Sequence, residues 1–444
     1  MTREDIITAA FRVWGRDLYR TTSLTQLAGD LGVTKPALYR HFPHKRALLE
    51  GMYEWFFDDY TAYIKAGYDD AVAAGDSVEG MLILGRAVAR YYCRNMDVFL
   101  FSLIQVYGSQ DQGFITDKLA ERGIDMRKLR FPPAPDGSGA EGETPYPSLL
   151  RLITVTLMCW TAFYHKHRIE AGTGDAPYSA CNWDAAPSSE EDLKNAVAGM
   201  EEKILNGLGF DRARIDGLDY EDLERRVTGL IPENIEDDGL YRAVAEVLAE
   251  AGPWDVSMDM VARRSGLSKS GLYAHFRNKQ DMIRQYFGTE FERIIASAGA
   301  GKAGSTVPEE QLYLAIIAIA DYFRGRPEIL LALDRLRTRK PDMEIPEPPL
   351  FYRVFAGINL IVPDAGCSDE GPEAVQARED ISQWILFLIV NILRSGEAPG
   401  NDAEMPAAET VRAPAFRSRF REVENSSFRI LYRFVVSGIR GFVK

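Results

Sequence analysis

Apolar residues recur along this chain three and four positions apart, the spacing of one face of an α-helix, and strand-like alternation is nearly absent. Ile6, Ala9, Ala10 and Val13 form one such stripe; Leu240, Ala243, Val244 and Val247 form another with the same internal spacing. The pattern predicts long helices over 45–66 and 279–298. Further helices are expected over 79–94, 96–107, 147–170 and 190–208, and then over 308–325, 327–338, 349–360, 376–394 and 417–442. The run from Trp384 to Val390 is apolar on all sides, as expected for a helix inside a bundle. Loops are marked by Pro- and Gly-bearing stretches at 131–139, 171–187, 341–349 and 397–408. The acidic stretch 211–237 reads as a linker.

The two stripes belong to a repeat. Residues 23–42 align without a gap on residues 257–276, and the numbering differs by 234. Identities include Ser23 and Ser257, Ala28 and Ala262, Gly32 and Gly266, Lys35 and Lys269, Leu38 and Leu272, and Tyr39 and Tyr273. They continue through His41 and His275, Phe42 and Phe276, and Lys45 and Lys279. A weaker likeness follows: Tyr92-Cys93-Arg94 and then 99–103 resemble Tyr322-Phe323-Arg324 and then 329–333. Two copied segments in the same order argue for duplication of a whole unit.

The strongly copied segment has the form of a helix, a tight turn and a second helix. Ser23 caps a helix whose inward positions are Leu24, Leu27, Ala28 and Leu31, with Ala28 small where two helices cross. Gly32 tolerates the left-handed conformation of a tight turn, and Val33 plugs the angle. Thr34 caps the second helix, with Pro36 in its first turn, where a missing N–H costs nothing. Ser257, Ala262, Gly266, Leu267 and Ser268 take the same parts in the second copy.

In such a motif the second helix enters the DNA major groove, its N-terminal residues nearest the base edges. The first copy offers Thr34, Lys35, Pro36, Ala37, Tyr39, Arg40 and His41 there; the second offers Ser268, Lys269, Ser270, Gly271, Tyr273 and His275. Lys35, Lys45, Lys269 and Lys279 suit phosphates, as do the hydroxyls of Ser23, Ser257, Tyr39 and Tyr273. Arg40 can pair bidentately with guanine.

Charge bears on this reading. The chain is acidic overall, at −13. Residues 1–50 nevertheless hold 8 Lys/Arg against 5 Asp/Glu, and residues 238–284 hold 7 against 6. DNA contact is therefore local, and the acidic body stays off non-specific DNA. The four cysteines lack a CxxC pair, and the N-terminus opens on charged and polar residues, unlike a signal peptide. No apolar run approaches the roughly 20 residues of a membrane span, so a cytoplasmic protein without membrane contact is expected.

The two copies resemble the TetR family of bacterial one-component regulators. The family pattern reads here as Ala28, Gly32-Val33-Thr34, Leu38-Tyr39-Arg40-His41-Phe42 and Lys45, and again as Ala262, Gly266-Leu267-Ser268, Leu272-Tyr273-Ala274-His275-Phe276 and Lys279. The resemblance implies an all-α fold of two units, each a three-helix DNA-binding domain followed by a helical ligand-binding and dimerisation domain. The expected divisions are 1–46, 47–210, a linker 211–237, 238–280 and 281–444. It implies a regulator, commonly a repressor, released from a double-stranded operator by a small-molecule effector. Family members pair as homodimers. With two units in one chain, the expectation becomes intramolecular pairing of the halves in a single-chain pseudo-dimer. Its heads differ at Pro36/Ser270, Ala37/Gly271 and Arg40/Ala274, so the operator should be an asymmetric or imperfect palindrome.

For the effector, Tyr91, Tyr92, Phe99, Tyr107, Trp160 and Tyr164 suit a planar or greasy ligand, although aromatics at helical spacing also serve as plain core. The second unit offers mainly aliphatics such as Ile316, Ile317, Leu330 and Leu333, and is the candidate for a scaffold without a pocket. His165 and His167 point apart on a helix and cannot share a metal ion. No nucleophile elbow, phosphate loop, zinc spacing or cofactor motif appears, so no enzyme and no cofactor are expected. The rival reading is a scaffold that keeps the fold and has lost DNA binding.

Overall fold

The computed structural model describes residues 2–16, 23–75, 78–107, 112–129, 146–173, 189–210, 212–227, 239–330, 351–358, 371–395 and 423–442. Among them every regular element is helical. The chain divides into two compact units. The first comprises Met1–Pro133, Leu157–Glu202 and Thr338–Asp342; the second comprises Ala134–Thr156, Lys203–Arg337 and Met343–Lys444.

The first unit opens with α1 (Arg3–Arg16), α2 (Leu24–Asp30) and α3 (Lys35–His41), followed by the long α4 (Lys45–Ala73). The buried face of α1 is Ile6, Ile7, Ala10 and Phe11, turned slightly from the sequence stripe, with Ala9 and Val13 only half-buried. Phe11 explains the rotation: its ring packs against Trp55 and Phe101 at 5.0 and 4.9 Å. A buried Phe contributes more apolar area than an Ala, so it sets which face turns inward. Helix α5 (Val78–Arg94) lies along α4, and α6 (Met96–Phe101) packs on α1. A π-helical turn, Ser102–Val106, continues α6, and α7 (Gln112–Ala120), which the sequence pattern did not reveal, touches α4. Helices α8 (Tyr146–Thr173) and α9 (Glu190–Asn206) belong in part to each unit.

The second unit repeats the opening with α12 (Gly239–Asp255), α13 (Met258–Ser265), α14 (Lys269–His275) and α15 (Lys279–Lys302). Gly252, at φ 77°, breaks α12 before its end. Helix α16 (Pro308–Gly325) is the centre of this unit: each residue from Leu312 to Ala320 is at most 1% exposed. It can be buried on all sides because α15, α18 (Pro372–Ser395), α19 (Asn425–Ser437) and α11 (Tyr220–Val227) surround it. A short α17 (Phe351–Val354) closes against α15 and α18. The expected all-round burial of Trp384–Val390 holds for Trp384, Ile385, Leu388 and Ile389, whereas Phe387 is 44% exposed.

The stretch read as a linker contains α10 (Arg212–Asp216) and α11, which are built into the second unit. Glu224 accepts two hydrogen bonds from Arg429 at 2.8 and 3.1 Å and one from the Tyr313 hydroxyl at 2.6 Å. Two of the acids that suggested a solvated connection, Glu224 and Asp216, are thus ion-pair partners of Arg429 and Arg433 far along the chain. The expected loops 131–139, 341–349 and 397–408 lie outside the described residues, as do Leu333 and most of the helix expected over 327–338.

Candidate DNA-binding heads and a buried aromatic cluster

Each head is held by a small core. In the first, Leu24, Leu27, Ala28, Leu38, Phe42 and Leu48 are at most 6% exposed; in the second, Met258, Val261, Ala262, Leu272 and Phe276 are at most 7% exposed. The turn is built alike in both. Gly32 has φ 64° and Gly266 φ 71°, where an L side chain is strained. The next residue then donates back across the turn, Val33 N–H to the Ala28 carbonyl at 2.9 Å and Leu267 N–H to the Ala262 carbonyl at 3.0 Å.

Capping differs. Ser23 forms a full capping box with Gln26, accepting from its N–H at 3.1 Å while the Ser23 N–H donates to Oε1 at 2.8 Å. Ser257 accepts from Met260 N–H at 3.3 Å, and Ser268 from Gly271 N–H at 3.0 Å. Thr34 stands at the cap of α3 but its side chain makes no cap hydrogen bond, which leaves the hydroxyl free for another partner. Leu267 is 37% exposed and does not fill the interhelical angle as expected. His44 caps α4, accepting from Ala47 N–H at 3.0 Å through Nδ1, a role that spacing alone did not reveal.

Of the residues expected at DNA, Ser23, Thr34, Lys35, Pro36, Tyr39, Arg40 and His41 are exposed on one head. Ser268, Lys269, Ser270, Tyr273 and His275 are exposed on the other. Tyr39 and Tyr273 are unusually open for aromatic residues, at 45% and 47%. Ala37, Lys45, Ser257, Gly271 and Lys279 are half-buried. Burial lowers the Lys45 and Lys279 ammonium groups from their usual range, so a nearby phosphate would restore charge stabilisation that desolvation removes.

The pattern of bacterial regulatory proteins of the tetR family matches residues 6–52 and again residues 240–286. Both heads are tetR-family DNA-binding domains. The two matches coincide with the two helix-turn-helix units just described and run from the first head helix into α4 and α15. No curated protein matches the chain.

Behind the first tetR-type head, the aromatic residues expected at an effector do converge in part. Tyr91, Tyr92 and Phe99 are each at most 1% exposed. Tyr60 lies 5.1 Å from Tyr91 and 5.6 Å from Tyr92, and Phe99 lies 5.6 Å from Tyr92, centroid to centroid. Tyr107 joins them electrostatically, and burial pushes the phenols of Tyr60, Tyr92 and Tyr107 above their usual range. The Tyr92 hydroxyl feels its neighbours but closes no well-aligned hydrogen bond. Trp160 sits edge-on to Phe163 at 5.5 Å, and Tyr164 packs on His165 at 5.3 Å.

Sequence reading missed three members of this cluster. Tyr60 lies on α4; Asp59 accepts from the Tyr91 hydroxyl at 2.8 Å; His165 Nε2 lies 3.0 Å from the Tyr92 carbonyl. Burial lowers the His165 imidazole to about 4, against the partial support of that carbonyl, and Arg168 adds to the fall. Cys93 and Cys159 are free and buried, and burial pushes the Cys93 thiol up to about 12. Among the described residues no group of three His, Cys, Asp or Glu is placed to hold a metal ion, and no helix is long and apolar enough to cross a membrane.

The second unit centres on charge instead. Glu290, 1% exposed, accepts from the Tyr322 hydroxyl and from Arg293 at 2.8 Å, and it faces Arg326 at 3.3 Å. Arg326 also lies 3.9 Å from Glu328. Ile316, Ile317 and Leu330 are ordinary core, at most 1% exposed.

Proposed function

We propose that this tetR-family regulator is a sequence-specific double-stranded DNA-binding repressor that works as a single-chain pseudo-dimer in the cytoplasm and leaves its operator when a small molecule binds. The observation that carries the DNA-binding part is the pair of complete helix-turn-helix heads, each presenting an exposed Lys, Tyr and His on its second helix. In this reading Ser23, Thr34, Lys35, Tyr39, His41 and Lys45 anchor one head, and Ser257, Ser268, Lys269, Ser270, Tyr273, His275 and Lys279 the other. Pro36, Ala37 and Gly271 shape the approach to the base edges. Arg40 reads a guanine in one half-site, and Ala274 cannot do so in the other.

Pairing within the chain is supported by the make-up of the second unit, which includes residues from both sequence copies. The Trp384 indole donates to the Thr156 hydroxyl at 2.9 Å, and Leu208 and Phe210 N–H groups donate to the carbonyls of Val435 and Val436 at 2.8 and 3.1 Å. In this reading the divisions 1–46, 47–210, 238–280 and 281–444 are functional domains, and the helices between 211 and 237 tie the copies together. The effector is a planar or aromatic molecule held near Tyr91, Tyr92, Phe99 and Tyr107, with Trp160 and Tyr164 alongside.

Selection of bound sequences from random duplex DNA, with the mass of the bound species measured alongside, tests the proposal. The expected result is two unequal half-sites roughly 34–36 Å apart, bound by one chain. A perfect palindrome bound by two chains would overturn the pseudo-dimer. No enrichment at low salt would overturn DNA binding and favour the scaffold.

A further inference from the structure

Lys35 and Lys269 occupy the same place, the first residue of the second helix of each motif. Their surroundings differ. Lys269 Nζ lies 3.1 Å from Oδ1 of Asp259 and 3.3 Å from Oδ2, ten residues earlier in the first turn of α13. The ungapped alignment puts Thr25 at the corresponding position of α2, and among the described residues Lys35 has no acidic partner. The Lys269 and Asp259 side chains are 59% and 51% exposed, so the pair faces solvent.

In a helix-turn-helix complex the first helix of the motif crosses the sugar-phosphate backbone, and the start of the second lies beside it. A carboxylate in the first turn of α13 that holds the lysine at the start of α14 therefore stands where a phosphate oxygen would stand. We infer that Asp259 is a specificity-determining residue: it occupies the phosphate-binding lysine of the second head, so the first head anchors the chain and the second engages only where base-edge contacts add to the affinity. This inference rests on the DNA-binding reading above.

The energetics favour an effect on binding over one on folding. An exposed ion pair is screened by solvent and contributes little to stability. At DNA the same carboxylate acts twice. It must be displaced before Lys269 can pair with a phosphate, and it then remains as a negative charge beside the backbone. Each phosphate neutralised by a protein cation adds about 0.9 to the slope of log affinity against log salt. The second head should thus contribute about one phosphate fewer than the first.

The test uses the full chain and a mixed-sequence duplex long enough for both heads, with affinity followed by fluorescence anisotropy across a salt series. Asp259→Thr, which copies the first head, should bind several-fold more tightly at low salt and steepen the slope by about 1. Thr25→Asp should do the reverse. Lys269→Gln should weaken binding by the wild-type chain several-fold less than Lys35→Gln does, and should cancel the gain in the Asp259→Thr chain. Circular dichroism confirms that each variant is folded. Unchanged affinity and slope in Asp259→Thr, with Lys269→Gln as damaging as Lys35→Gln, would overturn the inference and leave DNA binding standing. Absence of salt-dependent binding by the wild-type chain would instead overturn the DNA-binding reading itself, and this inference with it.

Discussion

Tyr92 and Tyr322 stand at corresponding places in the two copies, yet their surroundings are chemically opposite. Tyr92 sits among phenols and a neutral histidine, and its hydroxyl closes no well-aligned hydrogen bond. Tyr322 donates to a buried carboxylate that two arginines also hold. Counting along the long helices from Lys45 and Lys279, Glu290 takes the place of Phe56, and counting from the tyrosines Arg326 takes that of Met96. The Tyr322 hydroxyl is taken up by Glu290, and the buried hydroxyl without a well-aligned partner is Tyr92 in the first centre and Tyr286 in the second. A duplicated fold can thus keep its helices while the polar groups at its two centres diverge, because the helix frame depends on apolar spacing and leaves the central polar groups free to change.

The largest effect that would break this comparison is removal of the buried anion. Glu290→Ala strands Arg293 and Arg326, and loss of one partner from a buried charge network costs about 3–5 kcal/mol. Chemical denaturation should show this as a clear loss of stability. Replacing the whole network at once, Glu290→Phe with Arg293→Met and Arg326→Met, should recover most of it, because apolar replacement of an entire buried ion network is often neutral. A triple variant as unstable as Glu290→Ala would mean that the second centre depends on its charges.

The next effect belongs to the first unit. His165 stays neutral in the fold down to about pH 4, while in the unfolded chain it takes up a proton near its ordinary 6.5. The unfolded state therefore binds more protons between these values, and stability falls as pH drops through that window, by up to about 3 kcal/mol. Stability against pH should be flatter in His165→Gln. Equal slopes in the two proteins would show that His165 is not held neutral.

The smallest contrast is the sharpest. Tyr322→Phe removes a donor from Glu290 and should cost about 1–3 kcal/mol. Tyr92→Phe removes a hydroxyl with no well-aligned partner and should cost less than about 1 kcal/mol, while weakening capture of a phenolic or planar ligand. Matched losses in paired melting curves would contradict the asymmetry described here.

The heads differ in the same spirit. Arg264 is held by Glu246 at 2.9 Å and Glu250 at 2.7 Å, whereas the first copy has Asp30 in place of Arg264 and Arg12 and Arg16 in place of the two glutamates. The charges have exchanged positions across the same helix pair.

Much of this was legible in the sequence because it depends on neighbours along the chain. A cap, a turn glycine and a short amphipathic stripe act within a few residues, so Ser23, Gly32, Ser257, Gly266 and the buried Leu38 and Leu272 announced two reading heads. Most helices of the bodies followed from apolar periodicity for the same reason, α7, α10 and α11 apart. Local pattern misled where a distant group competes: the acids of 211–237 read as solvated until Arg429 and Tyr313 met Glu224. Phe11 turned the face of α1 because Trp55 and Phe101 are there to receive it. Only the tertiary structure could decide that His165 reaches the Tyr92 carbonyl, that Glu290 gathers two arginines and a tyrosine, and that Asp259 holds Lys269. Side-chain chemistry is set by what packing brings within a few ångströms, and periodicity says which face turns inward without saying what it will meet.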